Sequence, residues 1–399
     1  MPDPAALPRV RLRPTVQARA IRHGFPWVYA DELVLDRRTR GLVPGALAVL
    51  EDGERQPLGL VTVNTGSKIV ARMLDRDPLA QIDAGWLEAR IARAQRLRAR
   101  LYPDPYHRLV HAEADGLPGV VIDRFGDAAV SQPTAAWAET AIDALVAALV
   151  AVTEVGTVVK NGTGRARGLE GLAEETVVLR GAAEAPVAVP MNGATYLADL
   201  TGGQKTGLFY DQRPNHAFAA RLGVGGRVLD VFSHVGGFAL AALAAGADSA
   251  LAVDSSAPAL ELAEGGARAS GLAGRLATRR GDAFATLEAL GTEGARYDLV
   301  VCDPPAFAPN RAALDAGLRA YERLARLAAP LVADGGFLTL CSCSHAADLA
   351  AFRTACVRGI GRGGRSAQLL HTGFAGPDHP QLPQLAESGY LKALFFRLD

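Results

Sequence analysis

The sequence predicts a multidomain α/β protein. It has a small β-rich barrel at the N terminus, a central α+β segment and a C-terminal doubly wound parallel sheet. Three observations predict this. The chain has 399 residues, and single cores stop growing near about 250–300 residues. Its first 75 residues alternate short apolar runs with Gly and Pro punctuation. From about residue 191 onward, strand-like runs alternate with helical stretches, the pattern of repeated strand–helix units with helices on both faces. With 49% hydrophobic and 21% charged residues, a disordered chain is excluded.

Charge and cysteine usage narrow the function classes. A formal net charge of zero leaves no global field to hold a polyanion, so any nucleic-acid contact needs local clusters. No apolar run reaches the roughly 18–20 residues of a membrane span, and the opening MPDPAALPRVRLRP holds no signal-peptide core. The four cysteines are Cys302, Cys341, Cys343 and Cys356, with no C-x-x-C pair. That argues against a zinc ribbon or a disulfide scaffold, so no metal site is expected, and the reducing cytoplasm is the expected compartment.

In residues 1–75, LAVLED, GLVTVN and SKIVARML read as strands. Gly41, Pro44-Gly45, Asp52-Gly53 and Thr65-Gly66 punctuate them. An arginine-rich segment (Arg9, Arg11, Arg13, Arg19, Arg22) leads into Phe25-Pro26-Trp27-Val28-Tyr29. In residues 76–190, Leu87, Ile91, Ala94, Leu97 and Leu101 recur at helical spacing, which predicts a helix over Trp86–Leu101. Arg90, Arg93, Arg96 and Arg100 share its polar side. LPGVVIDRFGDAAVSQ predicts two strands, followed by a helix near Trp137–Val152. The strands GTVVK and TVVLR flank the loop Asn161–Arg167. In residues 191–399 the strands are RVLDVF, SALAVD, ATRRGDAF, YDLVVCDPP and GGFLTLCSC.

The turn Asp230-Val-Phe-Ser-His-Val-Gly-Gly-Phe238 follows the first of these strands and opens a helix. In such sheets ligands bind at the carboxyl ends of the strands. Gly236 and Gly237 would let backbone approach a ligand. Asp254 ends the next strand, about where an acid holds a ribose hydroxyl, with Ser255 beside it. The turn is not G-x-G-x-x-G, and its acid, Asp230, disfavours a pyrophosphate. A cationic, phosphate-free ligand fits better, and S-adenosylmethionine (SAM) has a sulfonium, an ammonium, a ribose and an adenine. Phe232 and Ser233 belong to the same turn. Asp282-Ala283-Phe284 at the third strand could bond and stack on adenine, although Asp282 also reads as a helix cap.

The fourth strand runs into Asp303-Pro304-Pro305-Ala306-Phe307. Its two prolines stop the strand and stiffen the loop. Asp303 can accept from the amino edge of a cytosine or adenine, and Pro304, Pro305 and Phe307 can hold a flipped base. The next strand ends Cys341-Ser342-Cys343-Ser344-His345. Alternation places Cys341 and Cys343 on one face. A free cysteine is more often a small buried hydrophobe. At this strand end, however, a thiolate could add to carbon 6 of cytosine and make carbon 5 nucleophilic. His345 is a nearby candidate base, with a surface role the simpler reading.

Together these residues resemble the RlmI-type SAM-dependent methyltransferases of large-subunit ribosomal RNA. That resemblance implies a PUA RNA-binding domain (1–75), a central α+β domain (76–190) and a Rossmann-like class I methyltransferase domain (191–399). It is carried by Gly24-Phe-Pro-Trp-Val-Tyr29, His111–Gly119, Asp123-Arg-Phe-Gly126, Gly203–Arg213, the Asp230 turn, Asp303-Pro304-Pro305, Ser342-Cys343-Ser344, Asp378-His-Pro and Tyr390-Leu-Lys392. It implies methylation of carbon 5 of a 23S rRNA cytosine, with Cys343 as nucleophile and Asp303 in the base-binding loop. It also places Lys205, Phe209, Gln212 and Arg213 near the cofactor. The chain departs from the family at Ala306, where Lys is usual, at Ser233-His-Val-Gly-Gly237, where the turn commonly reads Ser-Tyr-Thr-Gly-Gly, and at Asn215-His216, where Asn-Arg is usual.

Phosphate contacts are expected from the Arg9–Arg22 segment, from Arg93 and Arg100 on the first long helix, and from Arg165 and Arg167. The expected partner is 23S rRNA, naked or in an assembling subunit, with no membrane and a monomer or homodimer. Two other functions fit the same motifs. One is methylation of a base nitrogen, which needs no thiol. The other is a non-catalytic rRNA-binding assembly factor.

Overall fold

In a computed structural model of the chain, residues 7–183, 186–203 and 207–399 are described. The chain forms two compact units. The first comprises Met1–Ala185, Leu200–Gly207 and Asp378–Ser388. The second comprises Pro186–Asp199, Leu208–Pro377 and Gly389–Asp399. The N-terminal β-rich segment and the central α+β segment therefore share one unit.

In the first unit, Arg9–Arg11, Ala46–Glu51, Pro57–Val63, Ile69–Asp75 and Trp27–Tyr29 make a five-stranded sheet in that order. Val10, Leu12, Leu50, Val61 and Val70 fill its core. A second five-stranded sheet is made by Tyr106–His111, Val120–Phe125, Ala128–Pro133, Thr157–Gly162 and Glu175–Arg180. Helices Ala84–Leu101 and Ile142–Thr153 bury Leu87, Ile91, Leu145 and Leu149 with this sheet's Val120 and Ile122. The helix expected near Trp137–Val152 is two helices. Ala136–Thr140 and Ile142–Thr153 are broken at Ala141.

Helix Ala84–Leu101 starts where Asp83 accepts the N–H of Trp86 at 2.9 Å, a side-chain N-cap. Its expected apolar face is only half right. Leu87, Ile91 and Ala94 are buried, but Leu97 and Leu101 are exposed and Arg98 is fully buried in their place. Arg98 makes a two-pronged pair with Asp115 at 2.6 and 2.8 Å, and also donates to the carbonyls of Arg108 and Asp378. Every donor direction it uses ends on oxygen, which is the condition for burying a guanidinium.

In the second unit, the hairpin Val187–Met191/Ala194–Ala198 precedes a seven-stranded sheet. Its order is Leu276–Arg280, Ser249–Asp254, Arg227–Val231, Tyr297–Cys302, Val332–Ser342, Lys392–Leu398, Ala367–Gly373. The first five strands are parallel and the last two pair antiparallel. Val228, Leu229, Val231, Leu299, Val300 and Val301 are at most 0% exposed, as a sheet covered on both faces requires. Strand order reverses between Arg227–Val231 and Tyr297–Cys302. Such a switch point opens a crevice at the carboxyl ends of the strands, and Asp230 and Asp303 flank it.

Candidate active site at the carboxyl edge of the sheet

The turn after Arg227–Val231 is conformationally costly. Phe232 (φ 63°) and His234 (φ 49°) are left-handed without being glycine, and Gly236 (φ 79°) follows. Such residues cost about 1–3 kcal/mol each and cluster at functional sites. The two glycines leave no room for a side chain. A Cβ on Gly237 would lie 2.7 Å from the buried imidazole of His216, and one on Gly236 would lie 3.2 Å from Ala263. Gly237→Ala should therefore cost about 1–3 kcal/mol, read as a lower urea midpoint. An unchanged midpoint would contradict this packing.

Asp230 is fully buried under the turn. Its Oδ2 accepts the N–H of Ala239 at 2.9 Å, while Oδ1 has no hydrogen-bond partner among the described residues, nor has the hydroxyl of buried Ser233. Burial pushes the Asp230 carboxyl up to about 7, with the like charge of Asp254 adding to it and the Ala239 N–H opposing it. A buried carboxylate with an orphaned oxygen is a site for a cation or donor. That is the chemistry of an ammonium- and sulfonium-bearing ligand.

Asp254 ends the neighbouring strand. It accepts from His234 N at 2.9 Å through Oδ2 and from Ser256 N at 2.9 Å through Oδ1, so it locks the turn. Each oxygen keeps lone-pair capacity for a hydroxyl, and Ser255 beside it is exposed. Phe209 meets His234 edge-on at 5.0 Å between ring centroids, which brings it to the turn. Gln212 is buried and its side-chain oxygen accepts from Asn215 at 2.6 Å. Arg213 is half-buried at the start of helix Arg213–Leu222. Lys205 lies outside the described residues.

Asp282 caps helix Ala283–Thr292 through Ala285 N at 2.9 Å. One of its oxygens is thus committed to the backbone. Ala283 is buried, and Phe284 is half-buried with the Arg323 guanidinium 4.8 Å from its ring centroid. Phe307 is likewise half-buried. It packs against Phe232, Phe284 and Tyr321 at 6.3, 6.0 and 4.9 Å. Pro304 is buried and Pro305 and Ala306 are exposed.

Register places the chemical residues. Cys302 pairs with Leu340, and neighbouring strands lie about 4.8 Å apart. Asp303 and Cys341 therefore follow side by side at the carboxyl edge. Asp303 is half-buried and its N–H donates to Val231 O at 3.2 Å. The two cysteines differ. Cys341 is 1% exposed, and burial, then Asp303, push its thiol well up. Alternation does not put Cys343 on a shared face, because the strand ends at Ser342. Cys343 leaves the sheet and is half-buried, while Cys302, Cys341 and Cys356 are all buried. His345 is exposed.

A hydrogen-bonded knot holds the two loops. Ser342 Oγ donates to Tyr321 Oη at 2.9 Å, Tyr321 Oη and Ser344 Oγ lie 2.7 Å apart, and Ser344 Oγ accepts from Ala308 N at 2.9 Å. The residues on both sides of Cys343 are thereby tied to the end of the Asp-Pro-Pro loop. Sequence reasoning did not find Tyr321, whose only signal is a lone aromatic in a polar helix. Tyr321→Phe should lower turnover about tenfold at unchanged SAM affinity, since a 1 Å misplacement can cost about 10²-fold. Full turnover in that variant would show the knot to be dispensable.

Of the basic residues proposed to meet phosphate, Arg93, Arg100 and Arg165 are exposed. Arg167 is a correction: it is 2% exposed and bonds Glu139, Pro133 O and Ala173 O. Arg90 is also committed, to Asp75 at 2.6 Å.

A strained turn over a buried acid, an acid ending the next strand and a switch-point crevice define a nucleoside-binding transferase of the SAM-dependent class. A family model for S-adenosylmethionine-dependent methyltransferases matches residues 176–397, and one for PUA-like domains matches residues 10–76. The chain is 35% identical to a ribosomal RNA large subunit methyltransferase of Deinococcus radiodurans, over 99% of both chains. It is 33% identical to ribosomal RNA large subunit methyltransferase I of Shewanella denitrificans, over 98% of this chain and 99% of that one. The chain belongs to the RlmI-type family of SAM-dependent large-subunit ribosomal RNA methyltransferases. A protein of Streptococcus mutans assigned as a SAM-dependent methyltransferase shares the fold, with TM-score 0.82 and 18% identity over 98% of this chain and 100% of that one. A second structure, complexed with SAH, does so with TM-score 0.83 and 19% identity over the same shares. The cofactor is SAM. No helix of the described residues is long and apolar enough to cross a membrane.

Proposed function

We propose that the chain methylates carbon 5 of a cytosine in large-subunit ribosomal RNA through a covalent adduct to Cys343. The observation that carries this reading is that Cys343, just past the end of strand Val332–Ser342, alone of the four cysteines is not buried. The names of the relatives support ribosomal RNA as substrate, and with it action in the cytoplasm. In this reading residues 1–75 bind RNA and residues 76–190 extend that platform.

SAM supplies an electrophilic methyl group on its sulfonium. Asp230 and Ser233 would meet its charged end, Asp254 its ribose, and Asp282 and Phe284 its adenine side, with Phe209, Gln212 and Arg213 closing the turn from the segment that leads into helix Arg213–Leu222. Asp303 accepts from the amino edge of the base. The Cys343 thiolate forms a bond to carbon 6, and the ring electrons move to make carbon 5 the nucleophile. After methylation a base takes the hydrogen from carbon 5. That electron pair re-forms the 5,6 double bond and the Cys343 sulfur leaves. Methyl transfer to deproteinised 23S rRNA, followed by nucleoside mass analysis, tests the reading. 5-Methylcytidine supports it, and a methyl on nitrogen or on no RNA at all overturns it.

Two further outcomes follow. With an Asp230 carboxyl at about 7, a cationic ligand favours the ionised form, so SAM affinity rises with pH up to about 7 and levels off above. Below pH 7 it falls by at most about tenfold per pH unit. For the unliganded fold the sign is opposite. The raised carboxyl makes the protein more stable as pH falls from about 7 toward 4. A SAM affinity flat between pH 5.5 and 7.5 would remove Asp230 from the cation site. Affinity for rRNA should fall about 0.7–0.9 decade per decade of salt for each phosphate met, while SAM binding stays flat. Equal salt slopes would contradict RNA contact through Arg93, Arg100 and Arg165.

A further inference from the structure

Lys392 is an unusual lysine. It is 5% exposed and begins strand Lys392–Leu398, paired in register with Ser342 at the end of the cysteine-bearing strand. Its ammonium donates to Ser344 O at 2.8 Å and to Ala347 O at 2.7 Å. It makes no ion pair with a carboxylate among the described residues. Burying a cation against two neutral carbonyls is unfavourable. The fold therefore holds a charge here that packing alone does not require. The two carbonyls are the ends of the short turn that follows Cys343, and the first belongs to the residue next to it.

We propose that Lys392 is the positioning residue for Cys343: its ammonium pins the turn that carries the sulfur and supplies the positive charge beside it. The inference rests on the reading of Cys343 as nucleophile, but its own test does not need RNA. Burial pushes the Lys392 ammonium down, and the Cys343 thiol and the Asp348 carboxylate pull it back up. The attraction is mutual, so the same charge favours the thiolate. The other titratable groups around the turn are few. Tyr321 lies on helix Leu314–Ala328 and is pushed up by burial, with Cys343 adding to it. Asp348 caps helix Leu349–Arg362, Asp303 follows strand Tyr297–Cys302, and His345 lies within the turn and is exposed. Lys392 is the only one of these that is both cationic at neutral pH and buried at the turn. It forms no bond in the reaction. The proton lost from the thiol goes to solvent, and the sulfur then attacks carbon 6 as described above.

The test is the rate of iodoacetamide alkylation of Cys343 against pH in the full chain, read by mass analysis of its peptide. The other three cysteines are buried. The wild-type protein should reach half-maximal rate below the roughly 8.5 of a free cysteine. Lys392→Met should move that midpoint upward and slow alkylation about tenfold at pH 7, with SAM binding kept as the check on folding. Lys392→Arg, which retains the charge, should stay nearer the wild type than Lys392→Met does. A wild-type midpoint at or above 8.5 overturns the proposal even if neither variant folds. So does a Lys392→Met curve that superimposes on the wild type. If the alkylation results hold but Cys343→Ala still methylates RNA, the nucleophile reading fails and the charge beside the thiol stands.

Discussion

Cys343→Ala is expected to lose methyl transfer to rRNA by about 10³-fold or more, with SAM binding unchanged. Removing a covalent nucleophile leaves only binding and orientation to accelerate the reaction, and comparable deletions cost this much or more. The effect should fall on turnover, because Cys343 lies beyond the strand end and in this reading meets the base, not the cofactor. Cys341→Ala is the internal control. That thiol is 1% exposed and burial holds it protonated, so the variant should lose stability while it keeps turnover. If both variants lose turnover equally, the assignment between the two sulfurs is wrong. If neither does, the chemistry needs no thiol, and transfer to a base nitrogen takes its place.

Arg98→Met should destabilise the first unit by about 3–5 kcal/mol, the range for removing one partner of a buried pair. Without Arg98, the carboxylate of Asp115 is left at 7% side-chain exposure, with the His111 N–H donating to it at 2.6 Å. The carbonyl of Asp378 loses its donor as well. All three tryptophans, Trp27, Trp86 and Trp137, lie in this unit, so their fluorescence in a urea titration reads its unfolding. Arg100→Met, exposed on the same helix, should cost no more than about 1 kcal/mol. Arg98→Met combined with Asp115→Leu should recover much of the loss, because it removes both charges. A cost for Arg98→Met as small as that for Arg100→Met would show that the pair does not hold the unit together.

Local patterns in the sequence carried the main strands of the parallel sheet and the acids at their carboxyl ends. A doubly covered sheet writes itself as apolar runs such as Leu299–Val300–Val301, and Asp254 and Asp303 stand at the ends of such runs. Residues whose roles depend on long-range partners were not legible. Arg98 looks like its arginine neighbours until Asp115 and the Asp378 carbonyl are brought to it. Arg167 reads as a phosphate contact until Glu139 and two carbonyls close around its guanidinium. Helical periodicity assigned Leu97 and Leu101 to the core, because it assumes that apolar positions are always the buried ones. Pro304 read as part of a base platform, yet it is buried in the loop. Lys392 lies 49 residues from Cys343 in the chain (392 less 343), and the antiparallel pairing of strand Lys392–Leu398 with Val332–Ser342 is what brings it to the turn after Cys343.

The most direct test is covalent trapping. A 23S rRNA fragment with 5-fluorocytidine in place of cytidine is incubated with SAM and the protein. Fluorine at carbon 5 cannot leave as a proton, so the elimination that frees the sulfur is blocked. The account predicts a SAM-dependent, denaturant-stable protein–RNA species whose nucleotide mass maps to the Cys343 peptide and which is absent in Cys343→Ala. An undiminished methylation of ordinary rRNA by Cys343→Ala, with no trapped species in the wild type, would contradict it.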